Sequence, residues 1–130
     1  MAAHPRPLSP HLTVWRWGPG MAVSILHRIT GGGLTVVGLA VLTWWLIAIA
    51  SGAETYAEFS KAANHPLGLV VLIGLTWAFF QHLLSGVRHL VMDTGAGFEL
   101  DTNKRFAILT LVGSLLLTLA IWVPVLGGKL

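Results

Sequence analysis

Three long apolar stretches separated by two short polar ones set the pattern of the chain. They run over about residues 21–50, 66–92 and 105–126. Each is long enough to cross the ~30 Å hydrocarbon layer of a bilayer as a helix rising about 1.5 Å per residue. Within lipid the backbone must satisfy its own hydrogen bonds, so a run of this length folds as a helix. Pro66 suits a helix start, and Gly95 and Gly97 act as stop signals after the second run. Gly31, Gly32, Gly33 and Gly38 would weaken a helix in water. In a membrane bundle they let neighbouring helices approach closely. Residues 51–64 read as a loop with a short amphipathic segment, and residues 93–104 as the second polar connection. Ahead of the spans, Pro5, Pro7, Pro10 and Pro19 prevent a continuous helix. Basic and indole side chains mix there between Arg6 and Trp17, which suits a strap at headgroup level or one gripping a docked protein; the alternative is a disordered tail. The pattern predicts an all-α membrane protein, one anchor domain over residues 1–130, with three transmembrane helices behind a Pro-rich interfacial strap.

Composition agrees. Hydrophobic residues make up 55% and charged residues 10% of the 130 positions, against about 25% charged in a soluble domain. The absence of cysteine excludes a disulfide framework, thiolate metal sites and iron–sulfur ligation by this chain. A formal charge of +3 is too small and too scattered for a nucleic-acid surface. No short apolar core with a small-residue cleavage site follows the Pro-rich start, so no signal peptide is expected.

Charge placement then orients the spans. Arg6, Arg16, Arg28, Arg88, Lys104 and Arg105 fall on the side of the N-terminus, and Lys61 and Lys129 on the other. The positive-inside rule makes the N-terminus cytoplasmic, or matrix-facing in an organelle. The start of span one and the end of span two therefore share one surface. Ser24, His27 and Arg28 come within reach of His82, Arg88, His89 and Asp93.

Those residues define the candidate chemistry. His82 lies about two helical turns inside the boundary marked by Arg88 and Asp93, and His89 follows it on the same helical face. A neutral imidazole facing a bundle interior is a suitable axial ligand for haem iron; the plainer alternative is a hydrogen bond to another helix. His27, Arg28, Arg88 and His89 are candidates to meet haem propionates at the interface. Ser24 and Arg28, four apart, share a helical face and can hydrogen-bond a quinone carbonyl and stabilise its reduced, anionic forms. The alternative for that pair is an N-terminal cap plus a positive-inside arginine. Asp93 is either a proton route or a simple helix terminus. His4, His11 and His65 carry no assigned chemistry, and Trp15, Trp17 and Trp122 read as interface anchors.

Three motifs carry a family resemblance: Arg6-Pro-Leu-Ser-Pro-His-Leu12; Ser24-Ile-Leu-His-Arg28 with Thr30-Gly31; and His82-x-x-x-Gly-x-Arg-His-Leu-x-x-Asp93-x-Gly95. In this order, over nearly the whole chain, they resemble the cytochrome b556 subunits of succinate dehydrogenase, the larger membrane anchors of respiratory complex II. The resemblance implies that His82 is an axial ligand of haem b and that Ser24 and Arg28 belong to the ubiquinone site. It places His27 and Arg28 near the propionates. It implies partners as well: a flavoprotein that oxidises succinate, an iron–sulfur subunit that passes electrons to quinone, and a smaller anchor subunit supplying the second haem ligand. His27 opposite His82 is the alternative for that ligand. The implied location is the bacterial inner membrane, with the mitochondrial inner membrane as alternative. The chain departs from the family's pattern at Gln81, where a tyrosine is expected, and at Trp15.

Other readings remain at this stage. A fumarate reductase anchor would run the same chemistry in reverse, and a structural anchor would carry no redox cofactor. A small transporter or channel would place polar groups near mid-membrane, whereas the cluster here sits toward one surface.

Overall fold

A computed structural model describes residues 16–128 of the chain, so the motif from Arg6 to Leu12, Trp15 and Lys129 lie outside the described residues. The first span is a helical rod over Pro19–Ser51. It consists of α1 (Pro19–Gly33), a π-helical turn (Leu34–Gly38) and α2 (Leu39–Ser51). The Leu39 N–H reaches back five residues to the Leu34 carbonyl, the wide bond that defines such a turn. Gly52, at φ +103°, then breaks the rod with a backbone conformation that a side chain resists.

Helix α3 (Ala53–Asn64) follows directly. Most of the segment expected as a loop is thus a 12-residue helix. Its half-buried Phe59, Ala62 and Ala63 lie toward α2 and the next helix, and Phe59 meets Trp44 edge to face at 5.0 Å. Burial of that apolar side overrides the weak hydrophobic signal of a short polar segment. His65, which had no assigned role, caps helix α4 (Pro66–Asp93): its Nδ1 accepts the Leu67 N–H at 3.3 Å.

Helix α5 (Leu100–Gly127) starts about five residues before the apolar stretch predicted it. Its first turns are polar, carry Asp101 where the helix dipole favours an acid, and extend beyond the apolar run. All three long helices are long and apolar enough to cross a membrane. The described residues contain helices and turns and no strand.

The bundle is built inside out relative to a soluble one. Apart from Val23, its buried positions among the described residues are small or polar: Thr30, Ala48, Gln81, Ser85, Arg88, Ala107, Thr110, Ser114 and Thr118. Large side chains such as Val36, Leu90 and Leu116 face outward. Lipid tails are as apolar as leucine, so helices in a bilayer associate by close backbone approach and interhelical hydrogen bonds instead. Gly113 illustrates the first device, since a Cβ there would stand 3.0 Å from Leu84 Cδ1. The second is a seam between α4 and α5, where Ser114 Oγ donates to Gln81 Oε1 at 2.8 Å and Trp122 Nε1 donates to Thr76 Oγ1 at 3.1 Å. Trp122 is thereby an interhelical donor, beyond the anchor role expected of it.

Candidate functional site

The ends of α1, α4 and α5 that carry Arg28, Arg88, Lys104 and Arg105 meet at one side of the bundle. Arg88 fixes that meeting. It is 7% exposed, and its Nη2 donates to Asn103 Oδ1 at 2.8 Å. Asn103 Nδ2 in turn donates to the Gly97 carbonyl at 3.3 Å, which holds the turn between α4 and α5. Gly20 at the start of α1 completes the contact, because a Cβ there would lie 3.0 Å from Asn103 Oδ1. Asn103 had no assigned role in the sequence. An amide just inside a helix start, opposite a buried arginine, is a signal that spacing alone does not single out.

Three histidines gather below this joint. The His27 and His82 rings stack with centroids 4.0 Å apart and planes 6° from parallel. The His89 ring meets His27 edge-on at 5.0 Å. Helical spacing explains the grouping, because His82 and His89 are seven residues apart and face α1, while His27 faces α4.

Backbone and glycine hold His82 in place. Its Nδ1 lies 3.0 Å from the His27 carbonyl and 3.4 Å from Thr30 Oγ1. The Thr30 hydroxyl is itself directed to the Leu26 carbonyl at 2.7 Å. The ring fills the space left by Gly31, where a Cβ would be 2.9 Å from His82 Cε1. A carbonyl oxygen only accepts, so Nδ1 carries the proton and Nε2 carries the free lone pair. Among the described residues no three His, Cys, Asp or Glu side chains converge as a metal-ion ligand set.

The remaining candidates separate by face. Ser24 is half-buried at the margin of the α1–α4 contact, and Arg28 is exposed beside it. Asp93 ends α4 and is exposed. Arg88 points to Asn103 and α5, on a different side of α4 from the histidines. Gln81, next to His82 in sequence, also faces α5 and is fully buried there. His27, His82 and His89 thus form one group, with Ser24 and Arg28 three residues before and one after His27 on α1, and Arg88 belongs to another.

The chain matches the family described as succinate dehydrogenase/fumarate reductase transmembrane subunit over residues 2–121. It is 39% identical over 112 residues to the succinate dehydrogenase cytochrome b556 subunit of Paracoccus denitrificans, covering 86% of this chain and 85% of that one. The cytochrome b556 subunit of Rickettsia felis is 36% identical over 118 residues, covering 91% of each. The human mitochondrial cytochrome b560 subunit is 31% identical over 109 residues, covering 82% of this chain and 64% of that one. With these bacterial relatives and three membrane-length helices, the chain is placed as a multi-pass protein of the bacterial inner membrane. It belongs to the succinate dehydrogenase/fumarate reductase transmembrane-subunit family, as a membrane component of that enzyme complex similar to the cytochrome b556 subunits.

Proposed function

We propose that this subunit binds haem b through His82 and forms part of the ubiquinone site of a succinate dehydrogenase. The observation that carries the reading is the contact of His82 Nδ1 with the His27 carbonyl at 3.0 Å. It leaves Nε2 as the basic nitrogen, the state in which imidazole ligates iron. A bound haem supplies a one-electron store within the membrane subunit. His27 Nδ1, buried and without a hydrogen-bond partner among the described residues, fits a nearby polar group such as a propionate. Arg28 and His89 are the further candidates for that contact, and Arg88, directed to Asn103, contributes its charge from the neighbouring face.

The second axial ligand is assigned to the smaller anchor subunit. Two histidines that held one iron would each have to direct a ring nitrogen lone pair at it. His27 lies flat on His82 instead, which speaks against the pairing of these two rings.

Ser24 and Arg28 are the quinone-binding pair. The guanidinium can donate to a quinone carbonyl and hold negative charge as electrons arrive, and the hydroxyl can donate to the same oxygen. Exposure of Arg28 at the subunit surface suits a site completed by the iron–sulfur subunit. Asp93, at the aqueous end of α4, is the proposed proton route. In this reading succinate itself is oxidised on the flavoprotein subunit, and the clusters belong to the iron–sulfur subunit, since this chain has no cysteine to ligate them. The names of the similar bacterial proteins favour succinate oxidation over the fumarate reductase direction.

Arg28→Leu in the assembled complex tests the quinone assignment. Succinate oxidation with a soluble artificial acceptor should persist. Ubiquinone reduction should fall by about 10²–10³-fold, as when a charge-stabilising donor is removed. Unchanged quinone reduction would contradict the assignment.

A further inference from the structure

Three buried polar atoms on one stripe of α4 have no hydrogen-bond partner among the described residues: Gln81 Nε2, Ser85 Oγ and Arg88 Nε. Gln81 and Ser85 are 0% exposed and Arg88 is 7% exposed. Their spacing of four and three residues aligns them on one helical face over about 10 Å. Gln81 and Arg88 bond to α5, where Thr110 and Ser114 are also buried, and Ser85 lies between them on the stripe. Buried polar groups without partners are rare because each loses its hydration without replacement.

Ser85 adds an independent sign. Every other buried hydroxyl among the described residues turns back to a carbonyl three or four residues earlier: Thr30 to Leu26, Thr110 to Ala107, Ser114 to Leu111 and Thr118 to Ser114. That local bond is always within reach of a helical serine or threonine. Ser85 Oγ does not make it, although it is buried.

Turning the Gln81 amide does not remove the problem. Ser114 has a single hydroxyl proton and two acceptors in range, Gln81 Oε1 at 2.8 Å and the Leu111 carbonyl at 2.9 Å. If the amide is reversed, Nε2 donates to Ser114 and Oε1 is the atom left over. One end of the amide lacks a protein partner in either setting.

We propose that the α4–α5 interface binds internal water along Gln81, Ser85 and Arg88. Water is the ligand whose size and chemistry fit. All three atoms are shielded by this chain itself, so a partner subunit cannot reach them without separating the helices. A cleft of about 190 Å³, lined by Arg88 and Thr110 but not by Gln81 or Ser85, provides room at the Arg88 end, against roughly 10–15 Å³ needed to seat one water on the same measure. Two waters complete the bonding. The first accepts from Gln81 Nε2 and donates to Ser85 Oγ. The second accepts from the Ser85 hydroxyl and from Arg88 Nε–H, and donates to Thr110 Oγ. The file runs from the Arg88–Asn103 joint toward the centre of the bundle and ends one residue before His82. It holds the rotational setting of α4, and with it the face that presents His82 to α1.

Two measurements on the intact complex test this. A density map at a resolution that shows ordered water should contain peaks within about 2.7–3.2 Å of these atoms. No peak, with the three atoms bonded to protein groups instead, would overturn the proposal. The second is the sign of the change in thermal midpoint for Ser85→Ala. A water-bonded hydroxyl stabilises, so its removal should lower the midpoint. A dry, unpaired hydroxyl destabilises, so a raised or unchanged midpoint would overturn the proposal even if the map were equivocal. This test is independent of the haem assignment, since it reads water density and stability alone.

Discussion

The backbone carbonyl of His27 reaches His82 Nδ1 at 3.0 Å while the ring of the same His27 lies flat against His82, centroids 4.0 Å apart. One residue thus contacts the second in two ways, and the two can be separated by mutation. The carbonyl sets the tautomer of His82. The ring supplies packing and one polar nitrogen.

His27→Ala removes the ring and keeps the carbonyl. Haem content of the purified complex should remain near that of the wild type, with a shifted midpoint potential from the lost polar contact. Complete loss of haem would instead make the His27 ring a ligand.

Gly31→Ala should have the larger effect, although it adds a single methyl group. The new Cβ would stand 2.9 Å from His82 Cε1 and 3.3 Å from Nδ1. Overpacking of this kind costs about 1–3 kcal/mol, equivalent to about five- to 150-fold in haem affinity if it falls entirely on the iron bond. Haem titration of the variant complex measures this, and wild-type affinity would show that the helices yield without moving the ring.

How much of this was legible beforehand differs from element to element. The three spans and the meeting of His27 with His82 and His89 followed from apolar run length and charge placement, which are one-dimensional signals, whereas Arg88, expected at the same meeting, is directed to Asn103. Residues 51–64 read as a loop with only a short amphipathic segment, because the twelve residues of α3 acquire helical stability by packing on α2 and α4, which a local pattern does not contain. The third span carries a further signal. Its buried Ala107, Thr110, Ser114 and Thr118 recur every three or four residues, a visible stripe of small and polar positions that marks its packing face. Arg88 and His89 are neighbours in sequence but point to different helices, because consecutive residues are about 100° apart around an α-helix.

Ser114→Ala tests the seam. It leaves the Gln81 amide without its α5 partner and should lower stability by about 0.6 kcal/mol, with about 1.7 as an upper value for such bonds in a bilayer. A double-mutant cycle with Gln81→Leu should recover a coupling of that order. Zero coupling would mean that the 2.8 Å contact contributes nothing.

Arg88→Met separates a tether from a haem contact. Loss of the bond to Asn103 should lower thermal stability by about 1.5–3 kcal/mol, as for a hydrogen bond to a charged group. Haem content should be retained in whatever complex assembles. A variant of wild-type stability that lacks haem would place Arg88 at a propionate instead.

The most direct test of the account is the reduced-minus-oxidised optical spectrum of the purified complex, wild type against His82→Ala. His82 as axial ligand predicts a b-type haem band in the wild type that is lost or strongly altered in the variant, while the complex still assembles. An identical band in both proteins would remove His82 from the iron and contradict the central claim.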